Sequence, residues 1–360
     1  MLATTVLGAT VLATQALHAQ PAEPQPRPFR IVRAAAALDE LVAVDARLEL
    51  IGDRFGLTEG PVWVPDGDDG FLLFSDLISN VIYRWGGFGE PISVYLDRAG
   101  YSGTELTKAG FQTRRGRMAV LLIGPNGLSL DAQGRLLYLA ANDRTVVRLE
   151  RDGTRTVVAD RYDGRRFNGP NDLAVTSNGA IYLTDSVWGL RDGRANPDSE
   201  LDFSGIYLIK DGSVKLLLSD ADNPGGWPNG ITLSPDERYV YLNTGVQNIW
   251  RYEVAADGTL KNGTIFIAGE GSDGMKVDVL GNLYTTNGAG AGEVRITSPA
   301  GVRLGVIELP VPQGEPRAQV CATNVAFGDR DSRTLYITAC EHVYRLRMKV
   351  AGVHAANVRH

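Results

Sequence analysis

One short phrase recurs six times along the chain and constrains the fold more than any other feature. Each copy opens with a polar residue, alternates apolar and polar residues, passes through a turn and ends in a second apolar run. The copies begin at Glu59, Asn126, Asn171, Asn229, Asp273 and Asn324. Alternation with a period of two on both sides of a turn predicts a β-hairpin in every copy.

The spacing of the copies sets the size of the repeating unit. Successive copies start 67, 45, 58, 44 and 51 residues apart, and strand-like runs such as VIYRW and IWRYEV lie between them. A unit of about 40–50 residues with four strands is typical of a propeller blade. The sequence therefore predicts an all-β fold, a six-bladed β-propeller over residues 45–348, with four-stranded antiparallel blades around a central channel.

Composition excludes several other classes of protein. Glycine is abundant, with 42 of 360 residues, but proline contributes only 17 and no low-complexity run occurs, which excludes collagen and disfavours disorder. The glycines fit the many turns that short strands require. A net charge of −6 excludes a generally basic nucleic-acid binder and gives no reason to expect binding to anionic membranes.

Two spacings are long because each contains an irregular insertion. Residues 98–118, the first long loop, follow the first copy, and residues 189–204, the second long loop, follow the third copy. Long loops on a rigid scaffold usually carry function. We expect both to act as lids over one end of the channel.

Both termini are expected to lie outside the propeller. Residues 2–19 carry no Asp, Glu, Lys or Arg and end in small residues, so residues 1–19 are interpreted as a signal peptide of an exported, periplasmic or secreted protein. Residues 20–44 are interpreted as a proline-rich linker or extension, with one short helix over residues 34–42. Residues 349–360 are interpreted as a C-terminal tail.

The two cysteines flank the last predicted hairpin. A turn centred between Arg330 and Asp331 would place Cys321 opposite Cys340 on adjacent strands, where a disulfide is geometrically possible. The alternative is a pair of buried free thiols, since one bulged residue would spoil this register. A disulfide would agree with export.

The first residues of the six copies form a candidate site, which we call the polar ring. The innermost strand of each blade lines the channel, so Glu59, Asn126, Asn171, Asn229, Asp273 and Asn324 are expected to converge at one mouth. Each of them alone is better explained by local turn and strand-entry hydrogen bonds. A full ring of carboxylates and amides instead favours a cation, because buried carboxylates are paired or bind a metal. Oxygen donors favour one divalent ion, with calcium first, magnesium or manganese next, and zinc less natural.

Four motifs carry a resemblance to a known family. LTEGPVW, RFNGPNDL, WPNGITLSPD and DGMKVDVLGNLY occur in family order, and the similarity spans about residues 45–348. The chain resembles the SMP-30/gluconolactonase/LRE family of six-bladed propeller lactonases. The resemblance implies hydrolysis of a small-molecule lactone at one divalent metal.

The resemblance also implies roles for single residues. The metal ligands would be Glu59, Asn171, Asn229 and Asp273. The arginine that contacts substrate would be Arg166, with Asn168 beside it. Because this sequence has two extra residues between its RFN and ND motifs, Asn168 and Asn171 compete for one ligand position.

The expected mechanism assigns the chemistry to the metal and to a carboxylate. The metal would polarise the lactone carbonyl, and a carboxylate would activate water. Asp273 is the expected base. Asp172 directly follows Asn171 and should point away from the channel on a strand, where support of the ligands is its expected role and base the alternative. Further candidate substrate contacts are Asn126, Trp188, Trp227 and Tyr101.

Two other functions remain compatible with the same residues. One is hydrolysis of another ester or of a phosphotriester at the same metal. The other is a non-catalytic propeller that binds a ligand and uses the metal for structure. A serine hydrolase is disfavoured, because the sequence contains no G-x-S-x-G motif.

Overall fold

The computed structural model describes residues 23–114, 118–220, 227–244 and 248–354. The proposed signal peptide, residues 1–19, lies outside these ranges. No helix within them is long and apolar enough to cross a membrane. The short helices are 3-10 helices at Ala36–Glu40, Leu106–Lys108, Gly193–Ala195 and Arg317–Gln319, and the first of them replaces the helix predicted over residues 34–42.

The strands are numbered in chain order. The N-terminal segment forms β1 (Gln25–Arg27), β2 (Arg30–Arg33) and β3 (Leu48–Gly52). Blade 1 is β4 (Thr58–Asp66), β5 (Asp69–Asp76), β6 (Val81–Trp85) and β7 (Ser93–Asp97), and the hairpin β8 (Gly110–Arg114) and β9 (Met118–Leu122) follows it. Blade 2 is β10 (Leu128–Leu130), β11 (Leu136–Ala140), β12 (Thr145–Leu149) and β13 (Arg155–Ala159), followed by the small hairpin β14 (Arg161–Tyr162) and β15 (Arg165–Arg166). Blade 3 is β16 (Pro170–Val175), β17 (Ile181–Asp185), β18 (Gly205–Lys210) and β19 (Ser213–Ser219).

The remaining strands complete the circle. Blade 4 is β20 (Ile231–Leu233), β21 (Tyr239–Asn243), β22 (Asn248–Val254) and β23 (Leu260–Ala268). Blade 5 contains β24 (Met275–Val277), β25 (Leu283–Thr286), β27 (Glu293–Thr297) and β28 (Arg303–Glu308), and blade 6 contains β30 (Asn324–Gly328), β31 (Thr334–Ala339) and β32 (His342–Arg347). Outside the blades, β26 (Gly288–Ala289) pairs with β29 (Cys321–Ala322). The innermost strands β4, β10, β16, β20, β24 and β30 contact one another in a closed cycle. The predicted six-bladed propeller is confirmed.

The N-terminal segment is part of the propeller, and the interpretation of residues 20–44 as a linker is wrong for β1 and β2. Strand β3 pairs with β32 as the fourth strand of blade 6, and β1 pairs with β3 as a fifth. Strand β2 pairs with β28 at the outer edge of blade 5. Two open sheet edges accept these strands, which satisfies backbone groups that an edge would otherwise expose.

The C-terminal segment is also bonded to the propeller where the structure describes it. The Lys349 amide donates to the Leu41 carbonyl, and the Val353 amide donates to the Val277 carbonyl, at 2.8 and 3.0 Å. The boundary predicted at residue 348 therefore divides a continuous packed structure.

The core consists of one apolar cluster between each pair of neighbouring blades. Alternate residues of a strand point to opposite faces of its blade. In β11, for example, Leu136 and Tyr138 pack towards blade 1, whereas Leu137 and Leu139 pack towards blade 3. This two-sided burial explains why the strands are apolar at nearly every position.

The last hairpin shows a register that differs from the predicted one. Gly328 pairs with Thr334, so the turn is centred on Asp331 rather than between Arg330 and Asp331. This turn has an odd number of residues, and within it Asp329 and Ser332 adopt positive φ angles of 64° and 53°. The predicted pairing of the two cysteines on adjacent strands of this hairpin is wrong.

The cysteines nevertheless meet. Cys321 lies on β29, which pairs with β26, and Cys340 lies just beyond β31. A disulfide joins them, with the two Cα atoms 5.6 Å apart. The bond ties the β26–β29 pair to blade 6.

The two long loops pack against each other. The Arg191 amide donates to the Lys108 carbonyl, and Ala109 and Leu190 form an isolated β-bridge. The Lys108 ammonium lies 3.0 Å from the Asp198 carboxylate. Residues of both insertions thus form one layer, and it adjoins Trp188, whose carbonyl lies against Gly110.

Candidate active site

Backbone ladders fix the positions of the polar-ring residues. The Asn229 amide donates to the Asn243 carbonyl, and the Asp273 amide donates to the Thr286 carbonyl, at 3.0 and 2.9 Å. Asn126 extends the pairing of blade 2 in the same way, through its bond to the Leu139 carbonyl. The other three ring residues lie within the inner strands β4, β16 and β30. Because the inner strands form a closed cycle, the six residues meet at one mouth of the channel.

Side-chain hydrogen bonds run around one half of the ring. Asn126 Nδ2 donates to Asn171 Oδ1 at 2.7 Å, and Asn171 Nδ2 donates to Asn229 Oδ1 at 2.6 Å. The Asn229 side chain in turn donates to the Asp273 carboxylate. The amides of three blades are thus oriented in sequence towards one acidic residue.

The other half of the ring centres on Glu59. Its Oε2 accepts hydrogen bonds from Asn324 Nδ2 at 3.0 Å and from the Gly60 amide at 2.7 Å. Glu59 is only 6% exposed, and Asn324 only 3%. The site therefore holds a second carboxylate out of water.

Burial and neighbouring negative charge disfavour the ionised form of both ring carboxylates. Burial, and then the charge of Asp273, raise the pKa of Glu59 well above its usual value, although two hydrogen bonds oppose the rise. Burial, reinforced by the charge of Asp172, raises the pKa of Asp273 to about 7 against the hydrogen bond from Asn229. Among the groups in the described part of the chain that act most strongly on either pKa, none is basic. An acidic pair shielded from water in this way favours a cation as its partner.

The donor set fits a hard divalent cation. Among the described residues no group of three or more His, Cys, Asp or Glu side chains is arranged to hold a metal. The polar ring instead offers two carboxylates and four amides, which are the oxygen donors that calcium and magnesium prefer. A cation there would supply the positive charge that Glu59 and Asp273 lack.

Asp172 lies beside the ring and reaches towards the next blade. The pairing of β16 with β17 shifts register between Pro170 and Asp172, which leaves Asn171 in a bulge. Asp172 Oδ1 accepts from the Leu173 amide at 2.8 Å, and Oδ2 accepts from the Ile231 amide at 3.4 Å. Burial raises the pKa of Asp172, and the charge of Lys276 opposes that rise. These contacts hold Asp172 against two inner strands.

The side chains of Asn168 and Asn171 have different surroundings. The Asn168 side chain is buried, where its Nδ2 donates to the Phe203 carbonyl at 2.8 Å and its Oδ1 accepts from Ser199 Oγ at 3.2 Å. Its polar atoms are therefore used inside blade 3. Asn171, by contrast, occupies the polar ring through its bonds to neighbouring blades.

A cavity of about 690 Å³ adjoins Asn229 and Asp273. Trp188 and Trp227 form one side of it, with ring centroids 5.2 Å apart and planes at 75°. We call these two side chains the aromatic wall. The structure thus brings two of the predicted substrate contacts next to the ring.

Arg166 and Tyr101 line a different cavity, of about 480 Å³. The Arg166 guanidinium donates to the Asp143 carbonyl, and its backbone amide donates to the Glu200 carboxylate at 2.9 Å. The buried Arg144 lies at the same cavity and donates to Glu200 at 3.1 Å. The structure does not place Arg166 or Tyr101 in the cavity beside Asp273.

Sequence reasoning missed the charged rim of the Asp273 cavity. Arg295 and Glu270 both line it, and their charged groups lie 3.1 Å apart. Arg295 stands in the middle of β27, within the run EVRIT, and Glu270 follows β23. Neither residue belongs to the recurrent phrase. They come close to the polar ring only when the blades pack into the folded propeller.

The chain is similar to known proteins over most of its length. The SMP-30/gluconolactonase/LRE-like region matches residues 57–341. A gluconolactonase of Zymomonas mobilis subsp. mobilis is 31% identical over 90% of this chain and 87% of its own length. The solved structure of a gluconolactonase from Xanthomonas campestris has a TM-score of 0.72 at 27% identity, covering 92% of this chain and 99% of the other.

A more distant structure shares the fold. The calcium-binding protein regucalcin of Agrobacterium tumefaciens has a TM-score of 0.61 at 19% identity, and the match covers 91% of this chain and 97% of that one.

The family match over residues 57–341 includes all six inner strands and the whole polar ring. This chain therefore belongs to the SMP-30/gluconolactonase/LRE-like family.

Proposed function

We propose that this protein is a lactonase, a carboxylic-ester hydrolase that opens a lactone at the polar ring with one divalent cation bound there. Membership of the family and the 31% identity to a gluconolactonase support the reaction class. Two carboxylates, the buried Glu59 and the half-buried Asp273, carry the proposal, because no basic side chain is among the described groups that act most strongly on their pKa values. Ionisation of the two carboxylates together is unfavourable unless a cation lies nearby.

Four residues are proposed to hold the cation: Glu59, Asn171, Asn229 and Asp273. Calcium is the proposed ion, because every donor is an oxygen and the amides are neutral. When bound, the ion would polarise the lactone carbonyl and stabilise negative charge on its oxygen.

Asp273 is the proposed base. Its carboxylate lines the cavity, so it can accept a proton from a water molecule that adds to the carbonyl carbon. The bond between that carbon and the ring oxygen then breaks, and the proton passes to the released oxygen. The product is a hydroxy acid. Asn229 orients Asp273 through its hydrogen bond, and Asp172 supports the inner strand that carries Asn171.

A matched pair of variants tests the role of Asp273. Asp273→Asn keeps the shape of the side chain but removes the base, and kcat should fall by about 10²–10⁴-fold. Asp278→Asn is the control, because Asp278 is also buried in blade 5 but bonds to Asn282 and Tyr284 outside the ring. A pH-stat detects the acid released from any lactone. Wild-type turnover by a chelator-treated Asp273→Asn protein would contradict the proposal.

Removal and return of metal test the cation. Treatment with EDTA should abolish turnover, and separate additions of calcium, magnesium, manganese and zinc should show which ion restores it. The panel should include simple esters and a phosphotriester, since hydrolysis of these alone would indicate a different substrate class. Metal-dependent melting without turnover of any substrate would instead indicate a binding propeller.

We also propose that the protein is exported to an oxidising compartment. The disulfide between Cys321 and Cys340 supports this, because disulfides persist mainly outside the cytosol. Alkylation of the protein isolated from cell fractions, followed by mass spectrometry, should find the bonded form in the exported fraction and a mature chain that begins near Gln20. Free thiols in a cytosolic, full-length chain would overturn this proposal.

A further inference from the structure

The aromatic wall leaves a large apolar surface open beside the polar ring. Trp227 is 45% exposed, whereas most large apolar side chains that the structure describes are buried. The edge-to-face packing of Trp188 and Trp227 leaves the remaining Trp227 surface accessible. An exposed aromatic surface next to a reaction site is typical of substrate contact, because covering it with an apolar group removes that surface from water.

Apart from Asp273 of the polar ring, the charged side chains that the structure describes in the cavity lining already have partners. Glu270 accepts from Arg295 at 3.1 Å and from Arg303 at 2.5 Å, and Arg295 also donates to Glu293 at 2.9 Å. These charges neutralise one another. The rim therefore offers no unpaired cation to a carboxylate and no unpaired anion to an amine.

The uncharged polar groups of the lining are mostly engaged as well. Asn287 donates to the Gly290 carbonyl and accepts from the Glu293 amide. In the cavity lining, outside the polar ring, the buried Oδ1 of Asn243 is the acceptor that no described group reaches. A sugar lactone carries a hydroxyl on almost every carbon and needs a partner for each when it is desolvated. The cavity supplies few such partners.

The size of the cavity agrees with its chemistry. At about 690 Å³ it lies within the range of pockets that hold drug-sized ligands and is far larger than a bare lactone ring needs. We propose that the natural substrate is a lactone with an aryl or alkyl substituent that packs on the aromatic wall while its carbonyl lies at the polar ring. This inference rests on the proposed lactonase function, and Trp227 is its specificity-determining residue.

Binding of unreactive analogues tests the wall without any need for turnover. Calorimetry on calcium-loaded protein should find that 4-phenylcyclohexanone, which carries the carbonyl and an aryl group, binds at least about tenfold more tightly than cyclohexanone. Trp227→Ala should remove that difference, and Trp227→Phe should retain most of it. Tyr95→Ala is the matched control, because Tyr95 is a similarly exposed aromatic residue, 39% exposed, on the outer strand β7. Equal affinity for the two ketones, or an equal loss in Tyr95→Ala, would overturn the inference.

Hydrolysis then separates the two proposals. A phenyl-substituted δ-lactone should have a kcat/KM higher than that of glucono-δ-lactone, and Trp227→Ala should lower the ratio of the two by about tenfold, mainly through KM. A preference for the sugar lactone that Trp227→Ala leaves unchanged would overturn the inference and leave the lactonase function standing. If no lactone is opened, the lactonase function fails, and the ketone affinities still decide whether the wall binds apolar groups.

Discussion

Glycine follows four of the six polar-ring residues, and close approach of neighbouring blades explains why. After Glu59, Gly60 has a φ of +47°, and a Cβ there would lie 2.4 Å from the Asn126 carbonyl oxygen. A Cβ on Gly274, which follows Asp273, would lie 2.0 Å from the Asn324 amide. Side chains at these positions would push the ring apart.

Gly274→Ala should therefore damage the ring in particular. The new methyl group would overlap the Asn324 amide, so we expect a loss of about 1–3 kcal/mol in the free energy of unfolding and weaker calcium binding. Gly134→Ala is the control, because Gly134 has a φ of +72° and a methyl group there would meet nothing within 4 Å, which makes its cost backbone strain alone. Urea unfolding and calorimetric titration with calcium measure both effects. Equal calcium affinity in the two variants would argue against the packing account.

Asp185 illustrates a buried acid outside the ring. Its two oxygens accept from the amides of Asn168 and Gly169 at 2.8 and 2.7 Å, yet burial raises its pKa to about 7. The folded chain therefore holds a proton on Asp185 at pH values where the unfolded chain has released it. Its contribution to stability falls as pH rises from about 4 to about 7 and is constant above that range.

Asp185→Asn should flatten this pH dependence. The amide cannot ionise, so the difference in unfolding free energy between pH 5 and pH 8 should be smaller than in the wild type, even though one backbone hydrogen bond is lost. Asp163→Asn, at an exposed turn position, serves as the control and should keep the wild-type slope. Urea midpoints at the two pH values provide the measurement. An unchanged slope in Asp185→Asn would show that Asp185 is already ionised in the folded protein at pH 5.

The sequence was sufficient to predict the polar ring, but not to decide between Asn168 and Asn171 as its member in blade 3. Period-two alternation and the shared first position were sufficient to bring Glu59 and Asp273 together. The choice between Asn168 and Asn171 depended on a bulge at Asn171 and on the Phe203 carbonyl, which comes from a distant part of the chain. Such long-range partners leave no local pattern in the sequence.

At the scale of elements, the disulfide holds a small structure next to the site. Cys321 belongs to β29, its partner strand β26 contains Gly288, and a Cβ on Gly288 would lie 3.0 Å from Asp273 Oδ2. The bond between Cys321 and Cys340 therefore restrains backbone that contacts the proposed base. We therefore expect reduction of this bond to disturb the surroundings of Asp273.

Removal of the disulfide should cost stability and affect the site. With a sequence separation of 19 residues, the Cys321→Ser/Cys340→Ser double variant should lose about 3 kcal/mol of unfolding free energy. Its activity should also fall below that of the wild type. Dithiothreitol should lower the wild-type urea midpoint but leave that of the double variant unchanged. If the double variant had the same urea midpoint as the oxidised wild type, the disulfide would not stabilise the fold.

The edge strands were the elements that the sequence did not predict. Strands β1 and β2 are three and four residues long and come from a proline-rich segment, which resembles a linker when it is read alone. Strand β2 pairs with β28, where Arg30 and its partner Glu308 are 278 residues apart. Strand β1 pairs with the nearby β3, but β3 is placed in blade 6 only by its own pairing with β32. Proline is tolerated there because an edge strand needs few of its own donors.

At the scale of the whole molecule, the N-terminal segment closes the circle. Strand β3 completes blade 6, whose other strands come from the end of the chain. Leu48 and Leu50 of β3 pack towards blade 5, and Ile51 packs towards blade 1. Closure through a strand from the opposite terminus removes a sheet edge and buries apolar surface on both sides of the blade.

Two truncated chains should distinguish the role of β3, which closes the circle of blades, from the role of the edge strands β1 and β2. Deletion of residues 1–34 removes β1 and β2 only, so the chain should fold with a lower melting temperature and keep its lactonase activity. Deletion of residues 1–53 also removes β3 and exposes the core of blade 6, so the chain should not fold into an active protein. Thermal unfolding and the pH-stat assay measure both variants. Equal stability of the two truncated chains would contradict the role of β3 in closure.

The proposed function depends most on the polar ring as the site of one divalent cation. Diffraction from crystals grown with manganese, collected at a wavelength where manganese scatters anomalously, tests this directly. We expect one strong anomalous peak, and its loss in crystals of Glu59→Gln. The peak should be bounded by Glu59, Asn171, Asn229 and Asp273. A ring without a peak, or an equally strong peak in that variant, would contradict the proposed function.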